Sequence, residues 1–253
     1  MKHTHITTVF ILIAILFFAC QKESISTSDS PKLIFKFKFD STQVRLNNIG
    51  VPAKIITGNA AQSGTLGKMS AHYIELATGV FTRLGMGTVL YNAPETTAGG
   101  SNAIDFAKAP TAANGEVFYE IPLSKVKAGD YEWIRISLAY QNADVKMRVD
   151  TTISGIAINQ DLSASIASFI GFNTYIKSFT VKNQSIAING NRPQGFWGFE
   201  TTLTAGGAKY PIVSSGQAPA GATTVVNPLF ATSPIPAGSC VVTALFANGL
   251  LSI

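Results

Sequence analysis

Residues 131–150 read YEWIRISLAYQNADVKMRVD. Apolar side chains occupy every second position in much of both halves of this stretch: Ile134, Ile136, Leu138, Val145, Met147 and Val149. In the second half they alternate with charged residues. A period of two is typical of a half-buried strand in an antiparallel sheet. We therefore predict strands over Tyr131–Tyr140 and Asp144–Asp150.

The same alternation recurs from Lys32 onward. Lys32–Phe39, KLIFKFKF, places Leu33 and three phenylalanines on one face and three lysines with Ile34 on the other. Further predicted strands are Met69–Ala77, Thr88–Tyr91, Glu116–Leu123, Ile153–Ile158, Tyr175–Val181, Ile186–Asn189, Phe196–Leu203 and Cys240–Ala247. Many short strands with little helix predict an all-β fold over residues 32–253, either an antiparallel β-sandwich or a partly closed barrel.

At most one or two short helices are expected. Asp161–Gly171 has an Asp and a Gly at its ends and apolar residues at helical spacing, and Leu123–Lys127 is a weaker candidate. Asn248-Gly249 predicts a tight hairpin between the last two strands. The Gly- and Pro-rich stretch Thr204–Gly238 is either a long loop, an extended segment laid across the body, or part of a second small β unit starting near residue 204. The chain ends at Ile253, inside a predicted strand, which fits either a short edge strand or a truncated product.

The amino terminus carries an export signal. Lys2 precedes the unbroken apolar run Val9–Ala19, which is too short to span a bilayer and is followed at once by polar residues. Charge, length and flanks match a secretory signal peptide over residues 1–19.

The residues around the end of this run indicate a lipid anchor. Phe17-Phe18-Ala19-Cys20 resembles the lipobox of bacterial lipoproteins of the Bacteroidota type, and Lys22-Glu23 resembles their surface-export signal. The resemblance implies that Cys20 is lipidated and that the protein is exported and anchored to the outer membrane, on its periplasmic or cell-surface side. Residues 20–31 then form the lipidated cysteine and a flexible tether, whose eleven residues after Cys20 reach at most about 36 Å. A plain secreted protein is the alternative.

Composition excludes several functions. With 46% hydrophobic and 13% charged residues the chain is globular, and its basic residues, net charge +5, are too scattered for a nucleic-acid partner. A mature chain starting at Cys20 retains one histidine, His72, and one further cysteine, Cys240. Metal sites with nitrogen and sulfur ligands need several such residues, so His72 is only a weak metal candidate. No catalytic residue and no cofactor are predicted, although a carboxylate pair could serve a hydrolase.

Aromatic residues are the feature that a binding protein would use. Phe196-Trp197-Gly198-Phe199 places Phe196 on one face of a strand and Trp197 with Phe199 on the other. Core packing explains such a cluster, but an exposed Trp197 beside Asn or Gln side chains could stack on a sugar ring. Phe196, Trp197 and Phe199 are therefore the candidate ligand-binding residues.

Three segments carry a second resemblance. Leu33–Phe39, Pro122–Asn142 and Gln194–Phe199 resemble the family of periplasmic and surface proteins similar to the methanobactin periplasmic partner. The resemblance implies a β-sandwich and the handling of copper.

These observations leave three functional hypotheses. The first is a membrane-anchored extracytoplasmic binding or adhesion module, with a glycan or a cell-surface protein as partner besides the membrane. The second is a periplasmic copper-handling protein. The third is a carboxylate-based hydrolase.

Overall fold

The computed structural model describes residues 30–45, 51–58, 61–153, 155–219, 235–236 and 238–253. The predicted signal peptide, Cys20 and most of the predicted tether lie outside these residues. Strands dominate the described part: β1 (Lys32–Lys36), β2 (Thr65–Ala77), β3 (Thr88–Asn92), β4 (Glu95–Thr96), β5 (Ala103–Asp105), β6 (Ala112–Ala113), β7 (Val117–Pro122), β8 (Asp130–Tyr131), β9 (Trp133–Ile153), β10 (Ile156–Phe169), β11 (Thr174–Thr180), β12 (Ser185–Arg192), β13 (Phe196–Ala205), β14 (Ala208–Gln217), β15 (Cys240–Leu245) and β16 (Leu251–Ser252). Strands make up 58% of the structure, which confirms the all-β prediction.

The stretch that begins at residue 131 forms the centre of the fold. The two strands predicted there are one continuous strand, β9, because the residues between them keep the extended backbone. Strand β9 pairs with β2 along one edge, and along the other edge it pairs with β10 and then with β15. This main sheet has the order β14-β13-β10-β9-β2-β3, with β6 added to β2, and it curls into a half-barrel.

One face of the main sheet, its inner face, packs against a second sheet of order β12-β11-β5-β4. Aromatic rings dominate the contact: Phe169 lies 5.3 Å from Phe179 and 5.7 Å from Phe196 between ring centroids. Such tilted and edge-on pairs stabilise a core beyond their buried area. A separate core forms around Ile74, Leu76 and Tyr131, against which β1 and β7 pack. The other face of the main sheet is its outer face.

The helix predicted over Asp161–Gly171 is wrong. These residues form most of β10, which pairs with β9 on one side and β13 on the other. The same residues also satisfy a period of two: Ala167 and Phe169 enter the inner core, while Ile166 and Ser168 lie on the outer face. Neighbouring strands on both edges satisfy the backbone, so pairing decides against the helical pattern. The weaker candidate becomes one 3-10 turn, Leu123–Lys125.

The hairpin predicted at Asn248-Gly249 is also wrong, although a turn forms there. The Gly249 N–H donates to the Phe246 carbonyl at 2.8 Å. The flanking strands do not pair with each other: β15 pairs with β9, and β16 pairs with β8. The turn therefore moves the chain from one neighbour to another. Within the described ranges no helix is long and apolar enough to cross a membrane.

Candidate functional site

A row of polar side chains crosses the outer face of the main sheet. Ser168 on β10 is paired with Gln141 on β9 and with Trp197 on β13. Trp197 is paired in turn with Gly216 on β14. Because neighbouring strands lie about 4.8 Å apart, Gln141 and Trp197 stand about 10 Å from each other with Ser168 between them.

An apolar row runs beside the polar one. Ile166 is paired with Ala143 on one side and with Phe199 on the other, and Leu66 on β2 is paired with Ala143. Both rows project from the same face because their members are two residues apart on each of the three strands β9, β10 and β13. The sheet therefore presents a polar strip and an apolar strip side by side.

Gln141 and Ser168 of the polar row and Ala143 and Ile166 of the apolar row line a groove of about 260 Å³, here called the outer groove. Its lining residues come from β2, β9, β10 and the segments before β2 and after β1: Phe39, Gln62, Gly64, Leu66, Gln141, Ala143, Val145, Ile166 and Ser168. Trp197 and Phe199 stand on the next strand, directly across from Ser168 and Ile166. Pockets with mainly apolar walls and a few polar groups are the usual form of small-ligand sites.

Trp197 owes its position to the residue across from it. A Cβ atom added to Gly216 would lie 2.6 Å from Trp197 Cζ2 and 2.9 Å from Cε2, so the indole covers the space that a side chain would need. Glycine at 216 thus lets the ring lie over strand β14. The side chain is half-buried, as is that of Phe199.

The three aromatic residues predicted to bind a ligand divide between the two faces. Phe196 is buried in the inner core, where its ring contacts Phe169 and Phe179 and the Arg192 guanidinium lies 5.3 Å from its centroid. Phe196 therefore stabilises β13 from the inner face of the sheet. Trp197 and Phe199 lie on the outer face, as the alternation predicts.

The polar groups of the row are free to bind. The side chains of Gln141, Ser168 and Trp197 make no hydrogen bond with any described residue. Gln62, by contrast, is engaged: its amide accepts from the Lys146 N–H at 2.7 Å and donates to the Lys146 carbonyl at 3.2 Å. The groove therefore offers an amide and a hydroxyl to a ligand, and the indole of Trp197 lies on the next strand beside it.

His72 lies elsewhere, in a buried cluster. Its ring stacks on Phe172 with centroids 5.2 Å apart, and Nε2 lies 2.8 Å from Glu95 Oε1. Burial lowers the pKa of His72 below its ordinary value, although Glu95 acts in the opposite direction. Glu95 also accepts from the Asn102 amide at 2.6 Å. Among the described residues no three His, Cys, Asp or Glu side chains come together in a way that could hold a metal ion.

The buried carboxylates bind backbone. Glu75 accepts from the N–H groups of Gly85 and Gly87. Burial opposes the ionisation of Glu200, but three backbone N–H groups, each 2.9 Å from its Oε2, lower its pKa below the ordinary value. Both carboxylates hold loops in place, a structural role. Cys240 lies on β15 opposite Leu138, and burial raises the pKa of its thiol, which makes it a poor nucleophile.

Sequence reasoning missed Gln141, Ser168 and Gly216. Nothing in the sequence links positions that are 27 and 48 residues apart along the chain; the register of three strands brings them together. It also missed Glu75, which looks like an ordinary polar residue in an alternating strand. Comparison of the chain with protein-family models, with curated proteins and with solved structures found no match.

Proposed function

We propose that the protein is an exported, lipid-anchored binding module whose outer groove binds a glycan. The observation that carries the proposal is the row Gln141–Ser168–Trp197 beside the apolar row Ala143–Ile166–Phe199. The lipidation of Cys20 and the localisation at the outer membrane rest on the sequence alone.

The two rows match the chemistry of a sugar. A pyranose ring has C–H groups on its faces and hydroxyl groups on its rim. The half-buried indole of Trp197 offers a flat apolar surface for a ring face, and the Gln141 amide and Ser168 hydroxyl offer both donors and acceptors for the rim. The spacing of about 10 Å across the row suits one or two sugar units.

The side chains are also held in place before a ligand arrives. They project from the middle strands of the sheet, and the backbone of these strands is fixed by ladders on both edges. Trp197 is further confined by Gly216 below it. A site on rigid strands loses little conformational entropy on binding, which favours affinity.

The two rival hypotheses lack a comparable arrangement. Copper handling would need more ligands than the pair His72 and Glu95 supplies within the described ranges. A glycoside hydrolase would need two carboxylates facing one cleft, whereas the outer groove is lined by amide, hydroxyl and apolar groups.

A glycan array followed by calorimetric titration of the best hit tests the proposal. We expect Trp197→Ala to weaken binding by about tenfold or more, because truncating an aromatic anchor at the centre of a contact commonly costs above about 1.4 kcal/mol. Gln141→Ala and Ser168→Ala are expected to weaken it less.

Tyr210→Ala is the matched control. Tyr210 is an exposed aromatic residue on β14 that pairs with Leu203, six residue pairs along the ladder from the Trp197–Gly216 pair, and it is not part of the outer groove. Its removal should leave the dissociation constant unchanged. Circular dichroism establishes that each variant is folded. The proposal is overturned if the array shows no binding, or if Trp197→Ala and Tyr210→Ala behave alike.

A further inference from the structure

The loop between β2 and β3, residues 78–87, exposes large apolar side chains. Phe81 is 94% exposed, Met86 72% and Val80 59%. Single exposed apolar residues are common on protein surfaces, but three within seven residues of one loop form a patch, and such patches mark interaction sites.

Two buried side chains hold the backbone of this loop in place. The buried carboxylate of Glu75 accepts from the N–H groups of Gly85 and Gly87, and the Arg135 guanidinium donates to the Thr82 carbonyl at 2.6 Å. Arg135 Nη1 also lies 3.9 Å from Glu75 Oε1. The loop backbone is therefore tied to two adjacent strands, and its apolar side chains are exposed from a fixed support.

A second apolar segment leaves the same end of the main sheet. The Glu132 N–H donates to the Ala77 carbonyl, and the Phe246 N–H donates to the Glu132 carbonyl. The loop after Ala77 and the turn after Leu245 thus emerge on either side of Glu132. Leu245 and Leu250 are both about half exposed.

The first strand, β1, begins away from the outer groove. Lys32 is paired with Pro122, which is followed by the 3-10 turn leading to Tyr131. The Tyr131 hydroxyl lies 2.9 Å from Thr88 Oγ1, next to the loop. Phe39, at the other end of the same segment, lines the outer groove beside Leu66 at the beginning of β2. Lys32 and the groove-lining Phe39 therefore lie at opposite ends of the first strand and its continuation.

Both acidic and basic side chains flank the loop, and the exposed Glu132 carboxylate lies beside Gly79. Arg83 lies between Phe81 and Met86 in sequence and is exposed, and Lys127, whose carbonyl accepts from the Tyr131 hydroxyl, lies on the neighbouring segment. Basic side chains beside exposed apolar ones are the pattern of segments that enter the headgroup region of a bilayer.

We propose that the loop 78–87 inserts Val80, Phe81 and Met86 into the bilayer to which the protein is anchored, and so holds the outer groove away from the membrane surface. The inference rests on the proposed lipid anchor, which supplies the membrane. An anchor on a tether of eleven residues sets only the distance of the domain; the loop sets its orientation.

Tryptophan substitution in the full, processed chain tests this proposal. Phe81→Trp places a reporter in the loop. Ile156→Trp is the matched control, since Ile156 is also apolar and exposed, 52%, but lies beyond the far end of β9. Each variant is reconstituted in phosphatidylethanolamine–phosphatidylglycerol vesicles with and without brominated acyl chains. The wild-type signal, from Trp133 and Trp197, is subtracted.

We expect the added emission of Phe81→Trp to shift to shorter wavelength and to be quenched by the brominated lipid, and that of Ile156→Trp to do neither. Equal behaviour of the two variants overturns the inference. So does a blue shift at position 81 without quenching, because it would show that protein and not lipid covers the loop.

Palmitate labelling of the same preparations reports on the anchor separately. A labelled chain with unquenched Phe81→Trp emission overturns the loop inference and leaves the anchor intact. An unlabelled chain whose Phe81→Trp emission is quenched supports the loop inference and contradicts the anchor. An unlabelled, unquenched chain overturns both.

Discussion

Substitution of Glu75 by Gln should destabilise the protein severely, because this fully buried carboxylate serves three groups at once. One oxygen accepts from the Gly85 N–H at 2.9 Å, the other accepts from the Gly87 N–H, and the buried Arg135 guanidinium lies 3.9 Å away. Glutamine keeps the shape but turns one oxygen into an NH2 group that faces an N–H donor. It also leaves Arg135 without its neighbouring negative charge.

The magnitude follows from these contacts. A hydrogen bond to a charged group contributes about 1.5–3 kcal/mol, and removing one partner of a buried ion pair costs about 3–5 kcal/mol. These contributions overlap, so we expect Glu75→Gln to lower the free energy of unfolding by about 3–5 kcal/mol, against a total of about 5–15 kcal/mol for a typical domain. Urea denaturation followed by circular dichroism measures the change as a shift of midpoint at constant slope.

Two further variants make the reasoning testable. Glu120→Gln removes the same charge from an ion pair with Lys32 at 2.6 Å, but both side chains are at least one-third exposed, so the cost should stay below about 1 kcal/mol. Glu75→Gln combined with Arg135→Met should be less destabilised than Glu75→Gln alone, since the unpaired buried charge is gone. Similar midpoints for Glu75→Gln and Glu120→Gln would refute the argument.

Two other substitutions test the core and the buried histidine. Gly198→Ala should lower the free energy of unfolding by about 1–3 kcal/mol, because the added Cβ would lie 2.6 Å from two Phe179 ring carbons. Gly190→Ala should be tolerated, because no atom would lie closer than 3.5 Å to the added Cβ. A comparable loss of stability in both variants would contradict the packing argument. Burial holds the pKa of His72 below its ordinary value of 6.5 in the folded protein. Below pH 6.5 the unfolded chain therefore binds a proton at His72 that the folded chain does not bind. The free energy of unfolding falls as the pH drops from 6.5 toward the folded pKa. Thermal unfolding between about pH 7.5 and about pH 5 should show this loss in the wild type and a flatter profile in His72→Gln; parallel profiles would contradict it.

The period of two predicts a large part of the fold. It places Leu33, Phe35 and Phe37 on the buried side of the first strand and separates Phe196 from Trp197 and Phe199, as the structure confirms. Alternation predicts these positions because each strand of a two-layer fold buries one face, so apolar residues fall at every second position of its own sequence. It fails over Asp161–Gly171, where apolar residues satisfy helical and strand spacing together and only the neighbouring strands β9 and β13 decide.

Some residues of the candidate site are predictable from the sequence and others are not. Trp197 and Phe199 are predictable as outward-facing aromatic residues from their own strand. Gln141, Ser168 and Gly216 become part of one row only through the registers of β9, β10, β13 and β14, which are set by long-range pairing. The support of the loop 78–87 by Glu75 and Arg135 depends likewise on two strands meeting in space.

The sequence by itself therefore determines the β class and, for most strands, the face on which a residue lies, because both depend on local spacing and composition; it also carries the prediction of an export signal. The tertiary structure alone decides which of those faces meet, that a polar and an apolar row lie side by side, and that Glu75 and Arg135 on two neighbouring strands hold the apolar loop. Such juxtapositions arise from strand order and register, which are properties of residues far apart in the chain.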